Sequence, residues 1–504
     1  MPMFRKNYIV KINLSGGIVA AGDLYAIVEA AGRAKVADMQ FGTRQQLFCK
    51  VADRYGAAFL RELEQAGIFF ETEEEKFPNI VSSYVTEDVF GKSQWVGEGL
   101  YKDILDGFDF RPRLKINLVD CGQSFIPFFT GNINFISSGI GNYWYLYVRF
   151  PRTTHIHRWN ELVYFRDIPR ISRLIEEIIL EKKDGPPAGN SVPEELLFAT
   201  LLERERPITQ PVRTPLSLPV FNLPYYEGFN RYGDKTWLGI YRREEVFPLP
   251  FLKDICLICL QTKIGQLYTT PWKSLIIKGI EDKDLPLWEY ALGKYRINVR
   301  HASNELNWQV EDFCPEGLRL KRYLVRQFDQ EDIRTEGLCF AIKTRPWTGL
   351  SGSVIVRRQE AIRPGQLKLL DRYDILHTPG FNANSKEYIL YREGLEKENL
   401  ATYLVSLCKD FYGQQTEKEL ISDPAYRRGM PKEADEGKKE TVFQCRHCLT
   451  IYDAQYGDPD NGAPPGLAFE KLSPEYVCPV CGGGKEGFGS IRKNADSLTT
   501  IVPL

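Results

Sequence analysis

The chain has 504 residues, of which 65 are basic and 66 acidic, so its formal net charge at pH 7 is −1. This balance gives no field for wrapping nucleic acid or gripping an anionic membrane, and both are excluded as general partners. The sequence has no apolar run of about 18 residues and no signal-peptide core, which predicts a cytoplasmic protein without membrane spans. Because 43% of the residues are apolar, the main body is expected to be globular.

Hydrophobic spacing predicts alternating short strands and helices along the main body. Near the N-terminus, two helices packed on antiparallel strands make a ferredoxin-like unit. A strand-helix-strand pattern at 264–301 echoes it, although chance similarity explains this echo equally well. The predicted strands cover 8–14, 39–51, 68–70, 112–136 and 143–150, and the predicted helices cover 24–34, 54–66, 169–182, 194–205 and 396–411.

Composition predicts where the chain divides. The segment from Tyr412 to Glu440 is dense in charge and poor in large apolar groups, which is typical of a solvated tether. We expect an α+β fold with a small domain after the tether. The predicted divisions are 1–75 (ferredoxin-like half), 76–245 (α/β body), 246–412 (second ferredoxin-like half and α/β remainder), 413–440 (charged linker), 441–490 (small domain) and 491–504 (tail).

The tail of the chain carries four cysteines in two Cys-x-x-Cys knuckles, Cys445 with Cys448 and Cys478 with Cys481, 29 residues apart. Each knuckle puts two sulfurs on one tight turn, and two facing turns supply the four ligands that zinc or a single iron accepts. Spacing alone leaves the two metals open. The other seven cysteines are expected to be buried reduced thiols: Cys49, Cys121, Cys256, Cys259, Cys314, Cys339 and Cys408.

The residues around the knuckles favour iron. The segment 441–490 resembles rubredoxin, in its knuckles, its Gly457-Asp458-Pro459 loop and its aromatic residues. The resemblance implies one iron held by Cys445, Cys448, Cys478 and Cys481, with one-electron transfer. It also implies an aromatic core of Tyr452, Phe469, Tyr476 and Phe488 beside the metal. Gly482 matches the family, whereas Leu449 stands where glycine is usual.

Three weaker signals have ordinary explanations. Cys256 and Cys259 form another Cys-x-x-Cys, but their apolar neighbours predict a buried strand. His155 and His157 would share one face of a strand, and we interpret them as surface residues. His447 lies between two ligands and is expected to be a solvent-facing loop residue near the iron.

The main body resembles the siroheme nitrite/sulfite reductases over residues 8–136. The matching features are a Thr43-Arg44-Gln45 strand, a Pro78-Asn79 segment and a Pro112-Arg113-Leu114-Lys115 strand. The resemblance implies that Arg44, Arg113 and Lys115 pair with siroheme carboxylates or an anionic substrate, whereas exposed positions on alternating strands explain Arg44 and Lys115 equally simply.

The body departs from this family in its cysteines. The family's four cluster thiolates have one candidate here, Cys121, and Phe125 stands where its i+4 partner would be. No [4Fe–4S] cluster is therefore expected, since such a cluster needs four thiolates.

Two functions follow from these patterns. In the first, the chain is an electron carrier, and the body is a docking platform without chemistry of its own. Its partners would be redox proteins, a donor and an acceptor such as an assimilatory nitrite or sulfite reductase. In the second, the body binds siroheme and reduces a small anion with electrons from the iron domain. The missing cluster cysteines favour the first.

Overall fold

The computed structural model describes residues 7–72, 76–91, 95–181, 194–345, 348–359, 371–385, 387–422, 441–448 and 450–492. The chain divides into two compact units, the first ending at residue 415 and the second beginning at residue 416. We call them the body and the C-terminal unit. Residues 423–440 of the predicted linker, the predicted tail from 493 onward and Leu449 lie outside the described residues.

The first half of the body begins with helices and strands near those predicted. The elements are β1 (Asn7–Ile12), β2 (Ile18–Ala20), α1 (Ala21–Arg33), β3 (Asp38–Phe41), β4 (Leu47–Ala52), α2 (Asp53–Gln65), β5 (Phe70–Glu71), β6 (Val81–Ser82), α3 (Glu98–Asp106), β7 (Ile116–Val119), β8 (Ile133–Ser137), β9 (Tyr143–Val148), β10 (His157–Tyr164), α4 (Ile168–Glu181), α5 (Glu194–Glu205) and β11 (Thr209–Pro211).

The second half repeats much of this order. Its elements are β12 (Gly228–Tyr232), β13 (Lys235–Ile240), β14 (Phe247–Pro248), α6 (Leu249–Thr262), β15 (Gln266–Thr269), β16 (Leu275–Ile280), α7 (Leu285–Lys294), β17 (Trp308–Val310), α8 (Pro315–Gln330), β18 (Phe340–Lys343), β19 (Val354–Arg358), β20 (Tyr373–His377), β21 (Ile389–Leu395) and α9 (Lys397–Ser422).

The two halves of the body exchange short strands. One sheet has the order β14-β3-β4-β1-β5 and another the order β12-β13-β16-β15-β2, so the strand before each first helix joins the other half's sheet. Helices α1 and α6 pack together, and both sheets contribute to one apolar core. The hairpins β3–β4 and β15–β16 turn alike, with Gln45 and Lys273 at matching positions with φ 61° and 55°.

Two larger sheets complete the body, with orders β11-β10-β9-β8-β7-β6 and β17-β18-β19-β20-β21. In each of these sheets, the first three strands in chain order, β6 to β8 and β17 to β19, run parallel and the later ones antiparallel. A helix connects the first two strands of each parallel set, α3 in one half and α8 in the other. The body is thus built from two similar α/β halves.

The C-terminal unit has one small antiparallel sheet. Its strands are β22 (Thr441–Cys445), β23 (Ile451–Tyr452) and β24 (Phe488–Arg492), with β22 in the middle. The pairing sets Cys445 opposite Phe488, which brings the first knuckle beside the aromatic core.

Several sequence-based expectations need correction. The strand predicted at 39–51 is the hairpin β3–β4, because the chain reverses between Gly42 and Gln46. Cys256 and Cys259 lie on helix α6 and not on a strand, since a short apolar run does not distinguish the two. The pattern at 264–301 is two strands followed by a helix. Helix α9 continues to Ser422, beyond the predicted end at 411.

Candidate metal centre and body cavity

The two knuckles bring four sulfurs together. The Sγ atoms of Cys445, Cys448, Cys478 and Cys481 all lie within 4.8 Å of one another. Two of the separations are 3.6 Å (Cys445 to Cys481) and 3.3 Å (Cys448 to Cys478). A tetrahedron with metal–sulfur bonds of about 2.3 Å has edges of about 3.8 Å, so the four thiols fit one ion. They are too far apart for disulfides.

The knuckle loops hold the sulfurs by local hydrogen bonds. The Cys445 N–H donates to the Thr450 carbonyl at 2.8 Å, and the Cys478 N–H donates to the Gly483 carbonyl at 2.7 Å. Gly482 has φ 71° and its N–H donates to the Cys478 carbonyl, so the second turn uses the left-handed region that glycine adopts freely. Glycine at position 482 therefore suits this turn.

Donors around the sulfurs favour the thiolate form. The Thr450 hydroxyl, 3.1 Å from the Cys448 Sγ, and then the Thr450 backbone N–H lower the pKa of Cys448 to about 6. The N–H groups of Cys481 and Val480 point at the Cys478 sulfur, whose pKa is lowered despite its burial. The Gly483 N–H points at the Cys481 sulfur, but bonds with the neighbouring cysteine side chains raise the pKa of Cys481 to about 12. Such donors stabilise negative charge on sulfur. Sequence analysis had missed Thr450.

A cluster of aromatic side chains packs beside the cysteines. The Phe443 and Phe469 rings stack with centroids 4.1 Å apart, and Tyr452 meets Phe469 edge-on at 5.5 Å. The buried hydroxyls are satisfied, since Tyr452 donates to the Leu467 carbonyl and Tyr476 donates to Asp458, each at 2.8 Å. This arrangement matches the predicted set of Tyr452, Phe469, Tyr476 and Phe488, and Phe443 is an addition.

The metal ligands differ in exposure. Cys445 and Cys478 are buried, Cys448 is half-buried and Cys481 is exposed. His447 is exposed, and its ring lies so close to Gly483 that a side chain there would meet it at 3.2 Å. The ligand group contains the four cysteines and not His447, as expected. One edge of the centre therefore faces solvent.

In the body, the structure places the three basic residues predicted to bind siroheme in different settings. Arg44 is buried, and its guanidinium donates to the Asn79 carbonyl at 2.8 Å and the Ile116 carbonyl at 2.9 Å. Arg113 is exposed. Lys115 lines two adjoining cavities. Arg44 and Lys115 thus line the small cavity together, and Arg113 lines neither of these two cavities.

Two cavities adjoin at Lys115. The small cavity, about 290 Å³, lies against the β3–β4 hairpin and the loop after β17. The large cavity, about 930 Å³, lies between the end of β9 and the strands β18 to β20. Its walls combine aromatic and aliphatic side chains with many cations. The basic residues lining the large cavity are Lys115, Arg149, Arg152, Lys343, Arg345, Arg357 and Arg358, and the acidic one among its described residues is Asp374.

Other sequence signals fall outside both sites. Burial raises the pKa of the Cys256 thiol to about 12 and that of Cys259 further, so both are core thiols on α6. The His155 and His157 rings are 4.5 Å apart, beside the start of β10. Within the part of the chain that the structure describes, the four knuckle cysteines are the one group of three or more Cys, His, Asp or Glu placed to share a metal ion.

The C-terminal unit therefore contains a mononuclear tetrathiolate centre of the one-iron type. The rubredoxin family model matches residues 442–488. Over 49 residues, the chain is 45% identical to Rubredoxin-2 of Chlorobaculum tepidum, covering 94% of that protein and 10% of this chain. It is 43% identical over 49 residues to the high molecular weight rubredoxin of Moorella thermoacetica, of which it spans 21%. Through this domain the chain belongs to the rubredoxin family.

The body has a different likeness. The structure is similar to that of the NirA protein of Mycobacterium tuberculosis, with a TM-score of 0.61, 15% identity, and coverage of 80% of this chain and 81% of that one. At this identity the likeness concerns the fold. It confirms the nitrite/sulfite-reductase resemblance predicted from the sequence at the level of architecture. Among the helices described, none is long and apolar enough to cross a membrane.

Proposed function

We propose that this chain is an electron carrier whose rubredoxin domain passes single electrons to a partner reductase, with the NirA-like body serving as the docking platform. The observation that carries the proposal is the convergence of four Sγ atoms within 4.8 Å beside an aromatic core. Bound iron supplies a one-electron ferric/ferrous couple. The rest of the argument concerns what the chain's own residues do.

The protein shell holds the ligands in one geometry. Backbone bonds at Cys445 and Cys478 fix the knuckles, and the buried rings of Tyr452 and Phe469 keep water from the inner side. Because the four sulfurs need not move, little reorganisation accompanies a change of charge at the centre. Because Cys481 is exposed, we expect a partner to approach the centre from this side. These features support electron exchange by surface contact.

Spectroscopy of the full chain tests the proposal. Protein purified without added metal should contain one iron per chain, show ferric thiolate absorption bands and an EPR signal, and lose both on adding dithionite. Cys481→Ser should weaken or abolish the bands. Cys256→Ser, at a buried thiol on α6, is the matched control and should leave them unchanged. Stoichiometric zinc, or a protein that no reductant alters, would refute the assignment.

The partner is tested by rapid mixing. Reduced chain mixed with a siroheme nitrite or sulfite reductase should regain its ferric bands faster than the reduced rubredoxin domain of residues 441–492 mixed at the same concentration. The difference is expected because the body supplies docking surface. Equal rates would show that the body has no docking role, while the electron-carrier assignment would stand.

Catalysis by a bound siroheme stays a prediction from the resemblance. Of the residues proposed to hold the cofactor, Arg44 is engaged with backbone carbonyls and lines the small cavity with Lys115, whereas Arg113 is exposed. The same visible spectrum tests this function. Soret and long-wavelength bands in addition to the iron thiolate bands would favour the reductase.

A further inference from the structure

The large cavity of the body contains a lysine in an unusual setting. Lys343 is the last residue of β18 and lines the cavity, with its Nζ 5.5 Å from the centre of the Tyr388 ring. None of the described residues forms a salt bridge with it. A lysine that faces a cavity without a carboxylate partner is a candidate for chemistry as well as for charge.

Two carboxylates, one lining this cavity and one acting electrostatically on Lys343, are engaged in other hydrogen bonds. Asp374, on β20, accepts from Arg357 at 2.9 Å, from Gln359 at 2.8 Å and from the Gly394 N–H at 3.1 Å. Glu311, after β17, accepts from the Thr344 N–H at 2.8 Å and the Thr344 hydroxyl at 2.7 Å, and also from the Arg345 N–H. Both carboxylates are held by these hydrogen bonds, and neither forms an ion pair with Lys343.

Cations surround the same amine. Arg149, directly after β9, is held by a bond to the Thr130 carbonyl at 3.3 Å, and Arg357 projects from β19. Burial first, and then the charges of Arg149 and Arg357, lower the pKa of Lys343 to about 8, against a smaller opposing effect of Glu311. At neutral pH a useful fraction of this amine is therefore uncharged, which is the nucleophilic form.

We propose that Lys343 forms an imine with a carbonyl compound that carries a phosphate or carboxylate group, held in the large cavity by Arg149 and Arg345. The guanidinium groups would bind the anionic group in the forked geometry that they favour. The volume of about 930 Å³ and the apolar walls leave room for an organic body attached to that group. This site is independent of the iron centre.

The reaction needs no redox partner. The Nζ lone pair attacks the carbonyl carbon, a C–N bond forms, and the carbonyl oxygen takes a proton to give a carbinolamine. The carbinolamine then loses its hydroxyl group together with the remaining proton on nitrogen, as one water molecule. The C=N bond of the imine is left. Amine and aldehyde thus give imine and one water, and the step is reversible.

Labelling of the full chain tests the proposal. The probe is pyridoxal 5′-phosphate, with pyridoxal as the matched aldehyde that lacks the anionic group, and borohydride to reduce the imine to a stable amine for peptide mass analysis. We expect Lys343 to be labelled at pH 7.5 on the order of ten- to a hundredfold faster than an ordinary lysine, since far more of it is neutral. Inorganic phosphate should slow the labelling, and pyridoxal should label weakly.

Matched variants separate chemistry from folding. Lys343→Arg keeps the charge but should abolish labelling at this site, and Arg149→Gln should slow labelling while the far-UV spectrum stays unchanged. Lys278 is the internal control, because it too is buried beside a tyrosine ring, at 4.4 Å from Tyr268, yet donates to the Glu87 carbonyl and does not line the cavity. Labelling of Lys278 as fast as Lys343, or equal labelling by both aldehydes, would overturn the proposal. Iron content and spectra play no part in this readout.

Discussion

At the scale of single residues, the role predicted for a side chain from the sequence can differ from the role that the structure shows. An arginine on a strand of a reductase-like sequence was a natural choice for binding an anion. In the structure, the Arg44 guanidinium instead bridges two backbone carbonyls that come from different segments, Asn79 and Ile116. A buried guanidinium that donates hydrogen bonds to buried carbonyls stabilises the fold, whether or not a ligand is bound.

This role predicts the effect of a conservative replacement. Arg44→Lys removes the forked donor set and leaves buried carbonyls unsatisfied, so we expect the body to lose about 2 to 4 kcal/mol of stability. Thermal or urea unfolding monitored in the body would measure it. Arg113→Lys, at an exposed position, is the control and should change little. If Arg44→Lys unfolds like the wild type, the bridging role is wrong.

Lys343 makes a prediction with a definite pH dependence. Its pKa in the fold, about 8, lies below the ordinary value, so the folded state loses this proton before the unfolded state does. The penalty for burying the charge is complete below pH 8 and disappears as pH rises toward the ordinary lysine pKa. Lys343→Met should therefore stabilise the body by about 1 kcal/mol at pH 7.

The measurement is a pair of melting curves against pH. The advantage of the methionine variant should be greatest at pH 7 and shrink steadily between pH 8 and 10. A variant that is less stable than wild type at pH 7, or whose advantage grows with pH, would contradict the neutral-amine description of Lys343.

At the scale of elements, the knuckles show how a short turn sets a metal site. Gly482 adopts φ 71°, and a Cβ placed there would meet no atom within 4 Å. The constraint at this position is therefore backbone strain and not crowding. Helix α6, in contrast, was not predictable from its own sequence. The apolar run around Cys256 suits a strand as well as the helix that it forms.

Gly482→Ala tests the turn. We expect it to destabilise the iron-loaded C-terminal unit by about 1 kcal/mol, because an alanine at positive φ is strained. Gly482→Asn should cost less, since asparagine tolerates this region better. The temperature at which the visible bands disappear would rank wild type, asparagine and alanine in that order. An alanine variant as stable as wild type would show that the turn carries no strain.

At the scale of the whole molecule, the two units differ in what stabilises them. The body contains three extensive apolar clusters, whereas the C-terminal cluster has eight buried residues, two of them cysteines. A core of that size does not by itself stabilise a fold, so metal binding must contribute. The body, with its larger apolar clusters, is not expected to need a metal ion for its stability.

Removal of iron should therefore act on one unit. After chelation, or in Cys445→Ser, hydrogen exchange measured by mass spectrometry should become fast across residues 441–492. Exchange in the buried strands β7, β8 and β9 should stay unchanged. Equal loss of protection in the body would show that the two units do not fold separately.

How much the sequence predicted depends on how local each feature is. The four ligands, the aromatic residues Tyr452, Phe469, Tyr476 and Phe488, and Gly482 were predicted because a rubredoxin knuckle carries its turn, ligands and packing within a short segment. The likeness of the body to the nitrite/sulfite-reductase fold was also predicted. The strand assigned to 39–51 was wrong, because the residue that adopts the left-handed conformation in the turn is Gln45 and not a glycine.

The sequence by itself determined the iron centre and the general architecture, because these follow from short motifs and from the order of strands and helices. Only the tertiary structure decided which basic residues share a cavity, since Lys115, Arg149 and Lys343 come from three distant segments. It also decided that Arg44 turns inward and that β2 and β14 cross between halves. Charge and burial around a residue are set by elements far away in the chain, and no local pattern specifies them.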